Sequence, residues 1–160
     1  MVRFSNFVKH IVSPFIFFIF IVGCTETQYS RHDYKNTVHT FNEAWNTGEL
    51  NLLDETVHQD YLKQEGDEQL KGVEPLKIYV KNYRESMPDV SIKYVEEIYG
   101  DSKAAIRFTL EGTPSDTKTK FKAEGIVIFQ FKDGKIIRDK SVFDQLSSLT
   151  QQGYKIVPPQ

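Results

Sequence analysis

Hydrophobic residues change their spacing four times along the chain. An apolar stretch from Ile11 to Val22 is interrupted only by Ser13 and Pro14, and the polar segment Thr25 to His32 follows it. Val38, Phe41, Ala44 and Trp45 then recur at the helical period, with Asp33 placed as an N-cap and Asn46-Thr47-Gly48 as the stop. A short second helix is predicted over Asn51 to Thr56. A third is predicted over Gly72 to Ser86, where Pro75 suits a first turn and Leu76, Tyr79, Val80 and Tyr83 form the stripe. Met87-Pro88-Asp89 breaks it.

From Val90 the period becomes two. Val90, Ile92 and Tyr94 alternate with polar residues, and Gly100-Asp101-Ser102 turns the chain into Lys103 to Leu110. The polar loop Glu111 to Thr119 leads to the longest predicted strand, Lys120 to Lys132. Its residues Phe121, Ala123, Gly125, Val127, Phe129 and Phe131 share one face, and Lys120, Lys122 and Glu124 take the other. Ile126 and Ile128 make that second face apolar too, which predicts cover on both sides. Gly125 is placed where the strand would bend or bulge. The basic run Lys118, Lys120, Lys122 reads as a solvated strand edge. Asp133-Gly134 is a two-residue hairpin turn into Lys135 to Phe143, after which Asp144 caps a terminal helix. About three N-terminal helices followed by a curved antiparallel sheet predict an α+β domain with a cone-shaped hollow, a place for a small ligand.

Composition sharpens the division of the chain. Of 160 residues, 39% are hydrophobic and 26% charged. Residues 1–23 carry Arg3 and Lys9 and no acidic residue, so the remainder holds 22 acidic against 18 basic residues, a net charge of −4. That balance argues against nucleic-acid binding, which needs clustered Lys and Arg. One cysteine excludes an internal disulfide and a multi-cysteine zinc site. No spacing of His32, His39, His58 and the carboxylates suggests a metal, and no cofactor is expected. His39 sits beside the buried stripe on a solvated or partly covered helix face.

The uninterrupted apolar run, Phe15 to Val22, would cover roughly 12 Å as a helix, well short of a hydrocarbon core of ~30 Å. With its basic start it reads as a signal peptide rather than a membrane span. Ile21-Val22-Gly23-Cys24 resembles the bacterial lipobox, which implies lipidation of Cys24 and cleavage after Gly23. Residues 1–23 are thus expected as a lipoprotein signal peptide, 24–32 as a tether and 33–160 as the domain. Export to the cell envelope with lipid anchoring follows, and Thr25 after the cysteine resembles the default for the outer membrane in a diderm host.

The domain's motifs occur in a suggestive order: Phe41-Asn42-Glu43-Ala44-Trp45-Asn46-Thr47-Gly48, His58-Gln59-Asp60-Tyr61, Gly72, Met87-Pro88-Asp89 and Gly100-Asp101. Glu111-Gly112-Thr113, Asp133-Gly134-Lys135-Ile136, Asp144-Gln145-Leu146 and Gln151-Gln152-Gly153 complete it. This pattern resembles the SnoaL-like polyketide cyclases, or ester cyclases, of the nuclear-transport-factor-2-like superfamily. The resemblance implies a cone-shaped α+β barrel, often a homodimer, and aldol cyclisation without metal or cofactor.

The resemblance also places an acid/base aspartate on the last strand, where this chain has Ser141, and a supporting histidine where it has Val127. Gly112-Thr113-Pro114 replaces a Gly-Thr-His loop. A serine hydroxyl needs an activating partner to act as a base near neutral pH. Asp144, Asp60 and His58 are the remaining catalytic candidates, although Asp144 reads first as a helix cap and His58 and Asp60 as turn residues. Trp45, Tyr61, Tyr83, Val127, Phe129, Ser141 and Phe143 are expected to line the pocket. The expected function is binding of a small apolar molecule at the envelope. An ester-cyclase-type enzyme and an envelope protein-interaction module are the alternatives.

Overall fold

The computed structural model describes residues 29–157. The expected signal peptide and the expected lipidation site Cys24 lie outside the described residues. The elements run α1 (Arg31–Thr47), α2 (Leu52–Thr56), β1 (Val57–Glu65), β2 (Glu68–Lys71), α3 (Val73–Ser86), β3 (Ser91–Tyr99), β4 (Lys103–Gly112), β5 (Phe121–Lys132), β6 (Lys135–Phe143) and α4 (Gln145–Gln151). The six strands form one curved sheet in the order β2-β1-β6-β5-β4-β3. Neighbours are antiparallel except β1 and β6, which run parallel.

Helix α1 begins earlier than its apolar stripe predicts. Ser30, not Asp33, is the N-cap: its Oγ accepts from Asp33 N–H at 3.3 Å, and Asp33 Oδ2 accepts from Ser30 N–H at 2.8 Å. This reciprocal capping box draws the end of the expected tether into the helix. Gly48 ends α1 in the left-handed conformation at φ 83°, which glycine adopts without a Cβ penalty. Arg84 of α3 then donates from Nη1 to the carbonyls of Trp45 and Asn46 at 2.9 and 2.6 Å. A cation thus satisfies two orphan carbonyls at the negative end of α1 and ties the two helices together.

The expected order of helices first and sheet afterwards does not hold, because the hairpin β1–β2 separates α2 from α3. His58 and Asp60, expected in a turn, lie on β1. That strand is rich in Gln, Asp, Glu and Lys, and its register against β6 shifts between Val57 and Leu62, which interrupts the period of two. Polar composition and a broken period together hide it from a pattern-based reading.

Strand β5 alternates between buried and exposed residues along its whole length. Ile126 and Ile128 are each 48% exposed, so within the chain the second face of β5 is uncovered, contrary to expectation. Lys122 lies on an interior strand paired with β4 and β6, not on a sheet edge. Pairing is regular through Gly125, and the irregularity between β5 and β6 falls at Gln130/Phe131. Gly125 serves close packing instead: a Cβ there would meet the Phe108 ring and stand 2.8 Å from the Val142 carbonyl oxygen.

The buried face of the sheet packs on Val38, Phe41, Ala44 and Trp45 of α1 and Leu76 and Val80 of α3, around Ile106, Val127, Phe129 and Ile136. A smaller cluster of Met87, Val90, Leu110, Phe121 and Ala123 closes the other end. Asn46 Oδ1 accepts from Ile92 N–H at 2.8 Å, fastening the end of α1 to β3. Helix, sheet and α3 thereby stand as fixed walls around a hollow.

Candidate functional site

The hollow between α1, α3 and the sheet holds about 90 Å³ and is open at its mouth. Phe41 and Trp45 of α1, Tyr79 and Tyr83 of α3, and Phe108 and Phe129 of the sheet give it an aromatic wall. Trp45 meets Tyr79 and Tyr83 edge-on, with ring centroids 5.9 and 5.7 Å apart. Such edge-to-face contacts hold aromatic rings in defined orientations.

The polar part of the wall comes from two strands. On β1, Tyr61, Lys63 and Glu65 share one face, and on β6 so do Asp139, Ser141 and Phe143, because side chains alternate with period two. The parallel pairing sets Lys63 opposite Asp139 and Glu65 opposite Ser141. Lys63 Nζ stands 3.5 Å from Asp139 Oδ1, 3.4 Å from Glu65 Oε2 and 3.4 Å from Ser141 Oγ. It also lies 5.7 and 5.8 Å from the ring centroids of Trp45 and Tyr79, within cation–π range. On the far side of the carboxylate, the Tyr61 hydroxyl donates to Asp139 Oδ2 at 2.5 Å.

Lys63 is 7% exposed and Asp139 2%, so water contributes little to either charge. Burial opposes the Lys63 ammonium, but the charges of Asp139 and Glu65 outweigh it and raise its pKa above the ordinary lysine value. Burial raises the Asp139 carboxyl, and Lys63 and Tyr61 offset this only in part. Burial and then the adjacent Asp139 charge push the Tyr61 phenol far up, so it stays a donor. The cluster therefore combines a fixed cation, a carboxyl whose proton is held more tightly than usual, and a neutral phenol behind it.

Of the pocket residues expected from the sequence, Trp45, Tyr83, Val127, Phe129, Ser141 and Phe143 do line the hollow. Tyr61 stands one layer back, under Asp139. None of the three catalytic candidates lines it. Asp144 caps α4, accepting from Ser147 N–H at 2.9 Å. Asp60 opens onto a broader depression of about 520 Å³ that it shares with Gln59, Lys71, Gln130 and Arg138. His58 Nδ1 accepts from Asp60 N–H at 3.1 Å, and its ring lies 3.7 Å from the Asp60 and Asp133 carboxylates. His39 packs on Glu97, with Nε2 2.9 Å from Oε2.

Asp139, Lys63 and Glu65 line the pocket without having been expected there. A signal for Asp139 is present in the sequence: it shares its strand parity with Ser141 and Phe143. For Lys63 and Glu65 the same parity with Tyr61 becomes visible only once β1 is recognised as a strand.

The profile of the SnoaL-like polyketide cyclases matches residues 35–152. The chain belongs to this family. Among solved structures, TsrD from Streptomyces laurentii is 21% identical with a TM-score of 0.72, over 78% of this chain and 98% of that one. A candidate polyketide cyclase from Bacillus cereus ATCC 10987 is 26% identical with a TM-score of 0.67, over 76% of this chain and 80% of that one. AclR, a candidate hydroxylase from Streptomyces galilaeus, is 18% identical with a TM-score of 0.68, over 81% and 87%. No curated protein sequence matches the chain. Membership in the family accounts for the α+β architecture. Among the described residues, no helix is long and apolar enough to cross a membrane, and no three His, Cys, Asp or Glu side chains converge as metal ligands.

Proposed function

We propose that this SnoaL-like protein is exported, anchored through lipid on Cys24, and binds a small, largely apolar molecule in its conical pocket. The observation that carries the binding reading is an aromatic wall closing on one compact polar cluster. Apolar walls with a few convergent polar groups are the usual make-up of a small-molecule site. The aromatic rings supply burial, and Lys63, Asp139 and Ser141 orient the ligand's polar end. Binding is tested by thermal denaturation with a panel of apolar ring compounds. Stabilisation of the wild type that vanishes in a folded Ser141→Phe variant supports the pocket, and identical shifts in both proteins would remove it. The anchor is tested by palmitate labelling in cells: label lost in Cys24→Ala supports it, and label retained excludes it.

Asp139 favours a second reading. A buried carboxyl with a raised pKa can move a proton, and Lys63 beside it can stabilise a developing oxyanion. In that reading Asp139 takes the proton from carbon next to a ligand carbonyl, and the electron pair passes to the carbonyl oxygen near Lys63. Exchange of the α-protons of a cyclic 1,3-diketone in D2O, followed by NMR, tests it. Acceleration by the wild type and none by Asp139→Asn supports catalysis, and equal rates would leave binding alone.

A further inference from the structure

Among the described residues, two buried side-chain polar atoms have no hydrogen-bond partner: Nε1 of Trp45 and Oδ1 of Asp139. Both residues line the same hollow. An unpaired buried polar group costs about 1–3 kcal/mol, so two in one small space call for a common explanation.

The neighbours supply no hydrogen bond to either atom. Tyr61 is committed to the other Asp139 oxygen. Lys63 Nζ, at 3.5 Å from Oδ1, lies beyond the usual hydrogen-bond range of about 2.7–3.2 Å and is shared with Glu65 and Ser141. The same ammonium is 5.7 Å from the Trp45 ring centroid, so the two residues that carry the orphan groups are both neighbours of Lys63.

The two atoms have opposite demands. An indole N–H only donates, and an ionised carboxylate oxygen only accepts. A ligand carbonyl would satisfy Trp45 and set two acceptors against each other at Asp139. An ammonium would satisfy Asp139 and leave Trp45 without an acceptor. A carboxylate would meet like charge from Asp139 and Glu65. A hydroxyl both accepts and donates and so answers both. The surrounding rings of Phe41, Tyr79, Tyr83 and Phe129 fit an apolar body behind it.

Resting on the binding reading above, we propose that the pocket selects an apolar ring bearing a hydroxyl, which accepts from Trp45 Nε1 and donates to Asp139 Oδ1. Trp45 and Asp139 are then specificity-determining residues, because an analogue without the hydroxyl leaves both unpaired again.

Trp45 is the only tryptophan in the sequence and reports on its own site. The experiment titrates the full-length protein with phenol, anisole and toluene, following tryptophan fluorescence. Phenol is expected to bind at least about tenfold more tightly than toluene, since two hydrogen bonds separate them, with anisole, which can accept from Trp45 but cannot donate to Asp139, in between. In Trp45→Phe, followed by calorimetry, phenol's preference over toluene is expected to fall severalfold, with toluene binding showing that the pocket is intact. If that variant does not fold, the wild-type phenol-to-toluene ratio decides alone. Equal affinity for the three compounds overturns the hydroxyl proposal and leaves the pocket reading standing. Binding of none of them overturns both.

Discussion

Lys63 of β1 and Asp139 of β6 are direct partners across the sheet's one parallel pairing, with Nζ and Oδ1 3.5 Å apart. They are 76 residues apart in the chain and nearly inaccessible to water. Each makes the other's charge tolerable in a region of low dielectric. A pair held in that way is costly to break from one side and cheap to replace as a whole.

Lys63→Met should therefore lower the unfolding free energy by about 3–5 kcal/mol, because Asp139 is left buried and unpaired. The double variant Lys63→Met/Asp139→Leu should recover most of that loss. Urea denaturation of the four proteins of this cycle measures the coupling. Simple additivity of the two single losses would show that the pair does not interact.

The two groups should also leave marks of the same sign in different windows of the pH profile. The folded pKa of Asp139 lies above its ordinary value of 3.8, so its contribution to stability is fully present below that value. It is lost as pH rises through the raised value. Subtracting the Asp139→Asn profile from that of the wild type should isolate this decline on the acid side. Lys63, raised above 10.5, contributes fully below that pH, and its contribution is lost on the alkaline side as pH rises through its folded value. A difference profile that climbs with pH across the acid window would contradict the assignment for Asp139.

Gly125→Ala should destabilise the fold by about 1–3 kcal/mol, since the added Cβ meets the Phe108 ring and the Val142 carbonyl. Adding Phe108→Leu should restore only part of the loss, because the carbonyl belongs to the backbone and cannot move aside. Melting temperatures of the three proteins provide the check. Full recovery would mean that the ring alone required the glycine.

Arg84→Met should cost about 1.5–3 kcal/mol by leaving the Trp45 and Asn46 carbonyls without their cation. The same substitution should weaken ligand binding, because Arg84 fixes the turn of α1 that carries the pocket's indole. Binding measured at a temperature where the variant is fully folded separates the two effects. Unchanged affinity there would confine Arg84 to stability.

Much of the architecture was legible because periodicity and burial share a cause. The α1 stripe Val38, Phe41, Ala44 and Trp45 is buried as its spacing requires. The inward face of β5 from Phe121 to Phe131 alternates as its pattern predicts. The Asp133-Gly134 turn does join β5 to β6, with Asp133 at φ 51° and Gly134 at φ 76°. Legibility failed where a polar residue is buried by a long-range partner. Lys63 and Asp139 look like solvent residues in any local window, and β1 lost its period to a register shift. Ile126 and Ile128 failed in the opposite sense: apolar residues suggested cover, and the chain itself leaves them half exposed.

The sequence by itself determined the helices, most of the sheet, the family and the aromatic side of the pocket, because hydrophobic spacing is a local property of the chain. Only the tertiary structure decided which polar residues face that pocket. The parallel pairing of β1 with β6 brings a lysine and an aspartate from distant segments into one water-poor place, and their chemistry there comes from burial and from each other.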